Sequence, residues 1–245
     1  MFIQKILITK KGETYYIQDA SKDYHSTHGF IRAAELEKAQ PGDILTTSKG
    51  TECAILDATF FDNFQRLKRG AALILPKDAG AILAETMVGN KSIVVDAGGG
   101  MGGLTCFLAN YVKKVHVFDL REDHLDTVKE NVKRLELTNV EFGIGNVYES
   151  IPVKNVDLVT LDVPEPHEAY EHVFNALKPG GFLVCYIPCA NQLHELIKQQ
   201  DERFLYIKSF ELIQRHWDVT ERKIRPKTSP AIHTGFLCVL RKVWK

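Results

Sequence analysis

The sequence lacks the features of membrane and secreted proteins. It has no run near the roughly 20 apolar residues that cross a bilayer, and its opening segment MFIQKILITKKGETYY has no apolar signal core. We therefore expect a cytoplasmic protein that does not bind membranes. Internal repeats and low-complexity tracts are also missing, which disfavours solenoids and disordered tails.

Cysteine and histidine are present in patterns that do not indicate a metal or disulfide framework. The five cysteines are an odd number, and the closest pair, Cys185 and Cys189, is too widely spaced for a C-x-x-C site. The nine histidines form no H-E-x-x-H pattern. We expect free thiols in a reducing compartment and no metal ion.

The sequence also has no net charge, but its charges are unevenly distributed. Residues 71–201 carry 18 acidic and 11 basic residues, whereas residues 202–245 carry 10 basic and only 4 acidic residues. A basic end beside an acidic middle indicates an anionic partner such as RNA, or simply a solvated charged surface. Charge leaves both interpretations open.

The first part of the chain has short β-rich runs. FIQKILITK and TYYIQDA are separated by Lys11-Gly12, and further turn residues follow near position 41 and position 50. This pattern predicts a small β domain over residues 1–65, followed by a larger domain over residues 66–245. The first part of the larger domain, up to residue 90, has helical character.

From residue 92, apolar strands alternate with helices. The predicted strands are SIVVDA (92–97), KVHVFDL (114–120), NVEFGI (139–144), VDLVTLD (156–162) and FLVCYIP (182–188). The predicted helices cover 104–112, 121–137 and about 167–177, residues 178–181 form a turn, and strand-rich stretches lie near 204–217 and 231–242. Such alternation predicts an α/β fold with a mostly parallel sheet that binds ligands at the carboxyl ends of its strands.

A glycine-rich turn follows the first of these strands. Gly98, Gly100 and Gly103 satisfy G-x-G-x-x-G between a strand and a helix, and Asp119 ends the next strand. This arrangement predicts a nucleoside cofactor whose ribose hydroxyls donate hydrogen bonds to Asp119. Asp96, just before the glycines, disfavours the pyrophosphate of NAD and is suited to the ammonium group of S-adenosyl-L-methionine (SAM).

The motifs together resemble a known family. VVDAGGGMGGLTCFLA is similar to the SAM-binding motif of class I methyltransferases, and the whole chain resembles the archaeal and bacterial tRNA (adenine-N1)-methyltransferases called TrmI. The segments that carry this resemblance are KRGAALILPKDA (68–79), FDLRED (118–123), LDVPEP (161–166), LKPGGFLVCYIPCANQ (177–192) and RPKTSPAIHTGFL (225–237).

The resemblance implies a Rossmann-like class I methyltransferase with a seven-stranded sheet, acting as a homotetramer. Its expected reaction is methylation of the tRNA T-loop adenine at position 58, with position 57 an open second target. The residues expected to bind SAM are Asp96, Gly98, Gly100, Met101, Gly102, Gly103, Leu104, Asp119, Leu120, Asn146, Val147 and Asp162.

Some positions depart from the family pattern. Asp96 stands where many members have Glu, and Asn146 stands where relatives often have Asp. The turn GGGMGG lacks the usual Ser, which removes one expected cofactor hydrogen bond. Leu75 replaces an aromatic residue or His, so stacking at this position is not expected from the sequence.

Asp162 is the expected catalytic residue. It ends the fourth strand, where a carboxylate can accept a hydrogen bond from the exocyclic amine of adenine and stabilise the cationic product. The resemblance assigns the same role to this Asp. The expected substrate-binding residues are Tyr186, Asn191, Gln192, Arg225 and His233, although structural roles remain open for each of them.

A basic run near the end of the chain is the expected phosphate-binding surface. It contains Arg222, Lys223, Arg225 and Lys227, with Lys68 and Arg69 as further candidates. Three alternatives stay open: a methyltransferase acting on a corrin precursor or an isoaspartyl protein, a non-catalytic tRNA-binding subunit, and an NAD-dependent oxidoreductase. The intact glycine turn and Asp162 favour an active enzyme over the second.

Overall fold

The computed structural model describes residues 2–68, 74–228 and 233–243. The chain divides into two compact units, Met1–Leu67 and Lys68–Lys245. This division lies two positions beyond the boundary expected from the sequence. Within the described ranges, no helix has both the length and the apolar character needed to span a membrane.

The N-terminal unit contains an antiparallel sheet in the order β2-β1-β6-β5. Its elements are β1 (Lys5–Thr9), β2 (Thr14–Ile17), β3 (Tyr24–Ser26), β4 (Gly29–Ile31), α1 (Ala33–Lys38), β5 (Ile44–Thr46), β6 (Glu52–Asp57) and α2 (Phe60–Phe64). The turn at Gly12 has φ +82°, a conformation that glycine adopts without steric cost. Leu7, Ile17 and Ile55 form part of its buried core.

The C-terminal unit contains the predicted seven-stranded sheet, in the order β12-β15-β11-β10-β7-β8-β9. These strands are β7 (Ile93–Ala97), β8 (Lys114–Asp119), β9 (Val140–Ile144), β10 (Val156–Leu161), β11 (Leu177–Ile187), β12 (Phe204–Glu211) and β15 (Phe236–Lys242). Strand β15 pairs antiparallel with both of its neighbours, whereas β11, β10, β7, β8 and β9 pair in parallel.

Helices cover both faces of this sheet. They are α3 (Pro76–Thr86), α4 (Gly103–Ala109), α5 (Glu122–Arg134), a short 3-10 helix (Pro166–Ala169), α6 (Tyr170–Ala176) and α7 (Ala190–Lys198). Adjacent strand residues point to opposite faces, so Val94 packs with α3 and α4 while Val95 packs with α6. The apolar strands are therefore buried on both sides, as the sequence predicted.

Two features after residue 177 differ from the predicted elements. The predicted turn over residues 178–181 lies inside β11, where the pairing partner moves from Leu177 to Phe182 across a bulge and Gly180 has φ +79°. The stretch predicted over 204–217 contains β12 only to Glu211; a separate hairpin follows, formed by β13 (Trp217–Thr220) and β14 (Lys223–Pro226). Pairing with β10 decides the first detail, and the local pairing of β13 with β14 decides the second.

The order of the strands places a crevice at the end of β7. The chain passes from β7 outward through β8 and β9, and then returns to β10 on the other side of β7. Loops that follow β7 and β10 therefore leave in opposite directions. This switch point is where open α/β sheets bind their ligands.

Candidate active site

The glycine turn that joins β7 to α4 is crowded by neighbouring residues, so only glycine fits at several of its positions. Gly98 has φ +82°, and a β-carbon there would lie 2.2 Å from the carbonyl oxygen of Asp162. A β-carbon on Gly99 would lie 2.3 Å from Val117, and one on Gly102 would lie 2.9 Å from Val128. Gly102 therefore permits the close packing of this turn against α5.

Asp119 holds this turn in place from the end of β8. Its carboxylate accepts hydrogen bonds from the backbone nitrogens of Gly100 and Arg121, both at 2.9 Å. His124 Nδ1 lies 3.2 Å from the same carboxylate. Asp119 therefore orients the cofactor loop as well as facing the space where a ribose is expected.

A cavity of about 660 Å³ opens at the switch point. Its size lies within the range of about 300–1,000 Å³ that is typical of small-molecule sites. It is lined by Gly98, Gly100, Met101, Phe118, Asp119, Leu120, Arg121, His124, Gly145, Asn146, Val147, Tyr148, Asp162, Val163 and Pro164. The apolar walls suit an adenine ring, and the carboxylates suit hydroxyls and cations.

Most of the expected cofactor residues line this cavity. Those that do are Gly98, Gly100, Met101, Asp119, Leu120, Asn146, Val147 and Asp162. A small adjoining space of about 20 Å³ is lined by the expected residues Asp96, Gly103 and Leu104, by Ile74 and Gly99, and by residues shared with the larger cavity. Gly102 lines neither space, in agreement with its packing contact with α5.

Several lining residues were missed by the sequence analysis. They are Phe118, Arg121, His124, Gly145, Tyr148, Val163 and Pro164. All of them are adjacent or close in sequence to an expected residue, at the carboxyl end of β8, β9 or β10. The topological rule for parallel sheets was the signal that could have found them.

Asn146 has a local structural role as well as a position in the cavity. Its Nδ2 donates to Glu149 Oε1 at 2.8 Å, and its Oδ1 accepts from the backbone nitrogen of Tyr148 at 3.1 Å. The Tyr148 hydroxyl in turn accepts from the backbone nitrogen of Glu165 at 3.2 Å. These bonds connect the loop after β9 to the loop after β10.

Asp96 is buried beneath the glycine turn. Its two carboxylate oxygens accept hydrogen bonds from the hydroxyls of Thr105 at 2.5 Å and Thr160 at 2.8 Å. Burial raises the pKa of Asp96 to about 6, although the two hydroxyl bonds partly oppose the shift; the charge of Asp119 makes a smaller contribution in the same direction as burial. A cationic group in the adjoining space would favour its ionised form.

Asp162 follows β10 and lies directly beside the glycine turn. Its backbone nitrogen donates to the carbonyl of Ala97 at 2.9 Å, and among the described residues its carboxylate accepts no hydrogen bond. Burial, followed by the negative charges of Asp96 and Asp119, raises the pKa of Asp162 to about 7. The side chain is partly exposed to the cavity, where a positively charged ligand would restore its charge.

Tyr186 lies on β11 and His233 precedes β15, and neither residue lines the large cavity. Burial raises the pKa of Tyr186, and the carboxylates of Asp78 and Asp162 raise it further. His233 lies between two acceptors, with Nδ1 at 2.6 Å from Glu211 Oε2 and Nε2 at 3.0 Å from the Pro188 carbonyl.

The environment of His233 favours its protonated form. Only the imidazolium donates from both ring nitrogens at once, and the hydrogen bond with Glu211 raises the pKa of His233, followed by that with Pro188. This contact holds the end of β11 to the end of β12. The structural role that the sequence left open for His233 therefore has direct support from the geometry.

Asn191 and Gln192 lie in the first turn of α7, which begins at Ala190. Gln192 Nε2 donates to the carbonyl of Pro164 at 3.1 Å, so it contacts the loop that follows Asp162. Gln192 Oε1 is buried without a partner among the described residues. Asn191 is exposed.

The basic run forms part of the hairpin β13–β14 and its flanks. Arg222, Arg225 and Lys227 are exposed and, within the described ranges, belong to no ion pair, whereas Lys223 pairs with Asp218 at 2.8 Å. Lys68 pairs with Glu130 at 3.1 Å. Arg69 lies outside the described residues.

Comparisons with known proteins agree with this geometry. The family model of the "tRNA methyltransferase complex GCD14 subunit" matches residues 64–235. The tRNA (adenine(57)-N(1)/adenine(58)-N(1))-methyltransferase TrmI of Methanocaldococcus jannaschii is 30% identical, over 98% of this chain and 95% of that protein. The tRNA (adenine(58)-N(1))-methyltransferase TrmI of Thermus thermophilus is 32% identical, over 98% of this chain and 96% of that protein.

A solved structure matches the whole fold. The crystal structure of a SAM-dependent O-methyltransferase from Thermotoga maritima superposes with a TM-score of 0.86 and 26% identity, covering 99% of this chain and 94% of that one. The predictions of a class I methyltransferase fold and of SAM as cofactor are confirmed. The carboxylates and apolar walls of the cavity fit this cationic nucleoside.

Proposed function

The chain belongs to the tRNA methyltransferase family of the GCD14 subunit, and we propose that it methylates N1 of an adenine in the T-loop of tRNA. The target is position 58, the position named for both TrmI relatives, and position 57, named for the archaeal relative, is a second target. The observation that carries the proposal is the partly exposed Asp162 carboxylate at the wall of the cofactor cavity.

Asp162 is the proposed catalytic residue. When bound, SAM would supply a methyl group carried on its cationic sulfonium. The lone pair of adenine N1 would form the new bond to the methyl carbon as the carbon–sulfur bond breaks, and a neutral thioether would leave. Asp162 accepts a hydrogen bond from the exocyclic amine of the adenine and stabilises the positive charge that the base acquires. Its carboxylate is not committed to another donor among the described residues, so it is available for this contact.

Each part of the cofactor is proposed to contact residues of matching chemistry. Asp119 accepts from the ribose hydroxyls, Val147 and Leu120 contact the adenine, and Asp96 attracts the ammonium group. Asn146 retains a free lone pair on Oδ1 and is placed near the adenine. The remaining members of the proposed set are Gly98, Gly100, Met101, Gly102, Gly103, Leu104 and Asp162.

The proposed substrate residues lie beside this cavity and on the hairpin. Tyr186 stacks on the extruded target base, because an adenine inside a folded loop must leave its stack to be methylated. Gln192 and Asn191 contact base edges, and His233 approaches the substrate next to Pro188. Arg225, with the rest of the basic run, binds phosphates.

The proposal includes a homotetramer, in a cytoplasmic location expected for an enzyme acting on tRNA. The hairpin exposes Trp217, Val219 and Ile224, which are 51%, 69% and 74% exposed. Clustered exposed apolar side chains are typical of protein interfaces. Light scattering after size-exclusion chromatography would detect four copies, and a monomer would contradict the proposed homotetramer.

The two compact units of the chain are the proposed domains. The N-terminal unit is the small β domain, and the C-terminal unit is the catalytic domain.

The alternatives are not favoured. Both TrmI relatives that match 98% of the chain are tRNA adenine-N1-methyltransferases. A non-catalytic subunit would have no need of the cavity, the glycine turn and Asp162 together. No feature of the site specifically favours methylation of a corrin precursor, methylation of an isoaspartyl protein or NAD-dependent oxidoreduction.

The test is transfer of labelled methyl from SAM to an unmodified tRNA transcript. Matched transcripts carry another base at position 58, at position 57, or at both. Incorporation that disappears with the change at 58 supports the proposal, and a residual signal that disappears with the change at 57 adds the second target. Incorporation that persists in the double-substituted transcript contradicts the proposed site.

A further inference from the structure

A buried ion pair lies at the start of α3, outside the residues assigned so far. Lys77 Nζ contacts Asp78 Oδ1 at 2.7 Å, and the Asp78 side chain is fully buried. The other carboxylate oxygen of Asp78 accepts from the Thr234 hydroxyl at 2.9 Å. The pair therefore connects α3 with the segment that precedes β15.

The Lys77 ammonium group is saturated by this arrangement. Besides Asp78, it donates to the Thr234 hydroxyl and to the Leu212 carbonyl, each at 2.7 Å. A buried ion pair repays its desolvation only with good geometry and further hydrogen bonds, and an apolar replacement often gives equal stability. A gain in folding stability is therefore a weak explanation for this network. A role in positioning the residues that it contacts is a better explanation.

The network fixes the backbone on which Tyr186 rests. Thr234 precedes Gly235, and a β-carbon on Gly235 would lie 2.6 Å from Cζ of the Tyr186 ring. The Thr234 hydroxyl accepts from Lys77 and donates to Asp78, which anchors the backbone that runs into Gly235. The Tyr186 ring thus packs against a glycine whose position the network holds.

Tyr186 is close enough to both Asp78 and the proposed catalytic Asp162 for the two negative charges to raise the pKa of its hydroxyl, in addition to the effect of burial. A shift of the 234–235 backbone would therefore change how the ring faces the space beside Asp162.

We infer that Lys77, Asp78 and Thr234 are positioning residues that hold Tyr186 in the orientation in which it stacks on the target adenine. This inference rests on the proposed function and deepens it, because it assigns the orientation of the Tyr186 ring to residues that do not line the cofactor cavity. Lys77 and Asp78 act through Thr234, and Thr234 and Gly235 act on the ring.

Two substitutions test the inference from different sides. Thr234→Val removes the hydroxyl at nearly constant volume, and Gly235→Ala inserts a methyl group where the Tyr186 ring lies. Each is expected to lower kcat for tRNA roughly tenfold, the scale of one lost hydrogen bond or a misplaced contact. The Kd for SAM, measured without tRNA, is expected to change less than about twofold, since neither residue lines the cofactor cavity.

Thr234→Ser is the matched control, because it keeps the hydroxyl and loses only a methyl group. Thr234→Ser is expected to retain most of the wild-type kcat for tRNA. A Thr234→Ser variant as impaired as Thr234→Val would overturn the role of the hydroxyl.

The decisive comparison repeats both substitutions in a Tyr186→Ala background. If the network acts through Tyr186, then Thr234→Val and Gly235→Ala change kcat by less than about twofold there, because the ring they position is gone. Losses that multiply in this background overturn the inference, even if both single variants are impaired.

A spectroscopic measurement separates this inference from the proposed function. In protein labelled with ring-13C tyrosine, the Tyr186 signal is assigned by its absence from Tyr186→Phe. It is expected to shift or broaden in Thr234→Val and to return in Thr234→Ser. An unchanged signal in Thr234→Val overturns the inference. If the signal shifts as expected in Thr234→Val but the wild-type protein transfers no methyl group to tRNA, only the proposed function is contradicted.

Discussion

The backbone of Gly98 lies against the carbonyl oxygen of Asp162, so that a β-carbon on Gly98 would be 2.2 Å from that oxygen. The pairing of β7 with β10, which aligns Ala97 with Leu161, produces this contact. The position of the cofactor turn and the position of the proposed catalytic residue therefore depend on the same backbone contact.

Gly98→Ala is expected to abolish detectable SAM binding and to lower the melting temperature. Gly180→Ala is the control within the same unit: Gly180 has a similar φ of +79°, but an added β-carbon there meets only Arg241 at an ordinary 3.6 Å. Both variants carry the strain of a left-handed backbone, and only Gly98→Ala adds the clash. SAM binding by isothermal titration calorimetry checks this prediction, and equal affinities in the two variants would contradict it.

Asp162→Ala is expected to lower kcat for tRNA roughly 100-fold or more, on the scale of removing one preorganised transition-state contact. Asp162→Asn keeps the shape but cannot offer a charged acceptor, and a large loss is expected there too. Methyl transfer at saturating SAM and tRNA measures the effect. Near-wild-type activity in a folded Asp162→Ala protein would remove Asp162 from the mechanism.

The pKa of Asp162, raised to about 7 by burial and by the neighbouring carboxylates, predicts a pH dependence. The ionised carboxylate is the acceptor, so kcat/KM should rise as the pH increases through about 7. In Asp162→Asn this rise is expected to be lost from the residual activity. A wild-type profile that is flat across this range would contradict the assignment.

The same shift predicts the opposite trend for stability. The pKa of Asp162 is higher in the folded protein, so its contribution is fully present below the unfolded value of 3.8 and is lost as the pH rises to about 7. The free energy of unfolding of wild type, relative to Asp162→Asn, should therefore fall over this range and level off above it. Urea unfolding at a series of pH values checks the sign, which a difference rising with pH would refute.

Neutralising the free cations of the hairpin is expected to weaken tRNA binding. The triple substitution of Arg222, Arg225 and Lys227 with Ala should lower affinity and reduce the slope of log affinity against log salt by about 1 for each lost phosphate contact. Lys223→Ala should have a smaller effect, because Lys223 is already paired with Asp218. Filter binding across a salt series measures both, and an unchanged slope in the triple variant would exclude this surface.

The sequence determined the features that depend on local chemistry. The strands β7 to β10 and the intervening helices followed from apolar runs and turn residues, and the glycine turn followed from its position between a strand and a helix. The motifs that contain these residues also carry the family resemblance. Local patterns found four of the residues that line the large cavity, Gly98, Gly100, Asp119 and Asp162, because they lie at or just after the end of a strand. The family resemblance supplied Met101, Leu120, Asn146 and Val147.

The tertiary structure decided what depends on partners distant in the chain. Pairing across β10 and β11 turned the expected turn at 178–181 into a bulge, and packing against Val128 gave the helix-packing function to Gly102. The raised pKa of Asp162 results from burial and from Asp96 and Asp119 on other strands. Burial, pairing and charge act between neighbours in space, and only the folded chain makes those neighbours.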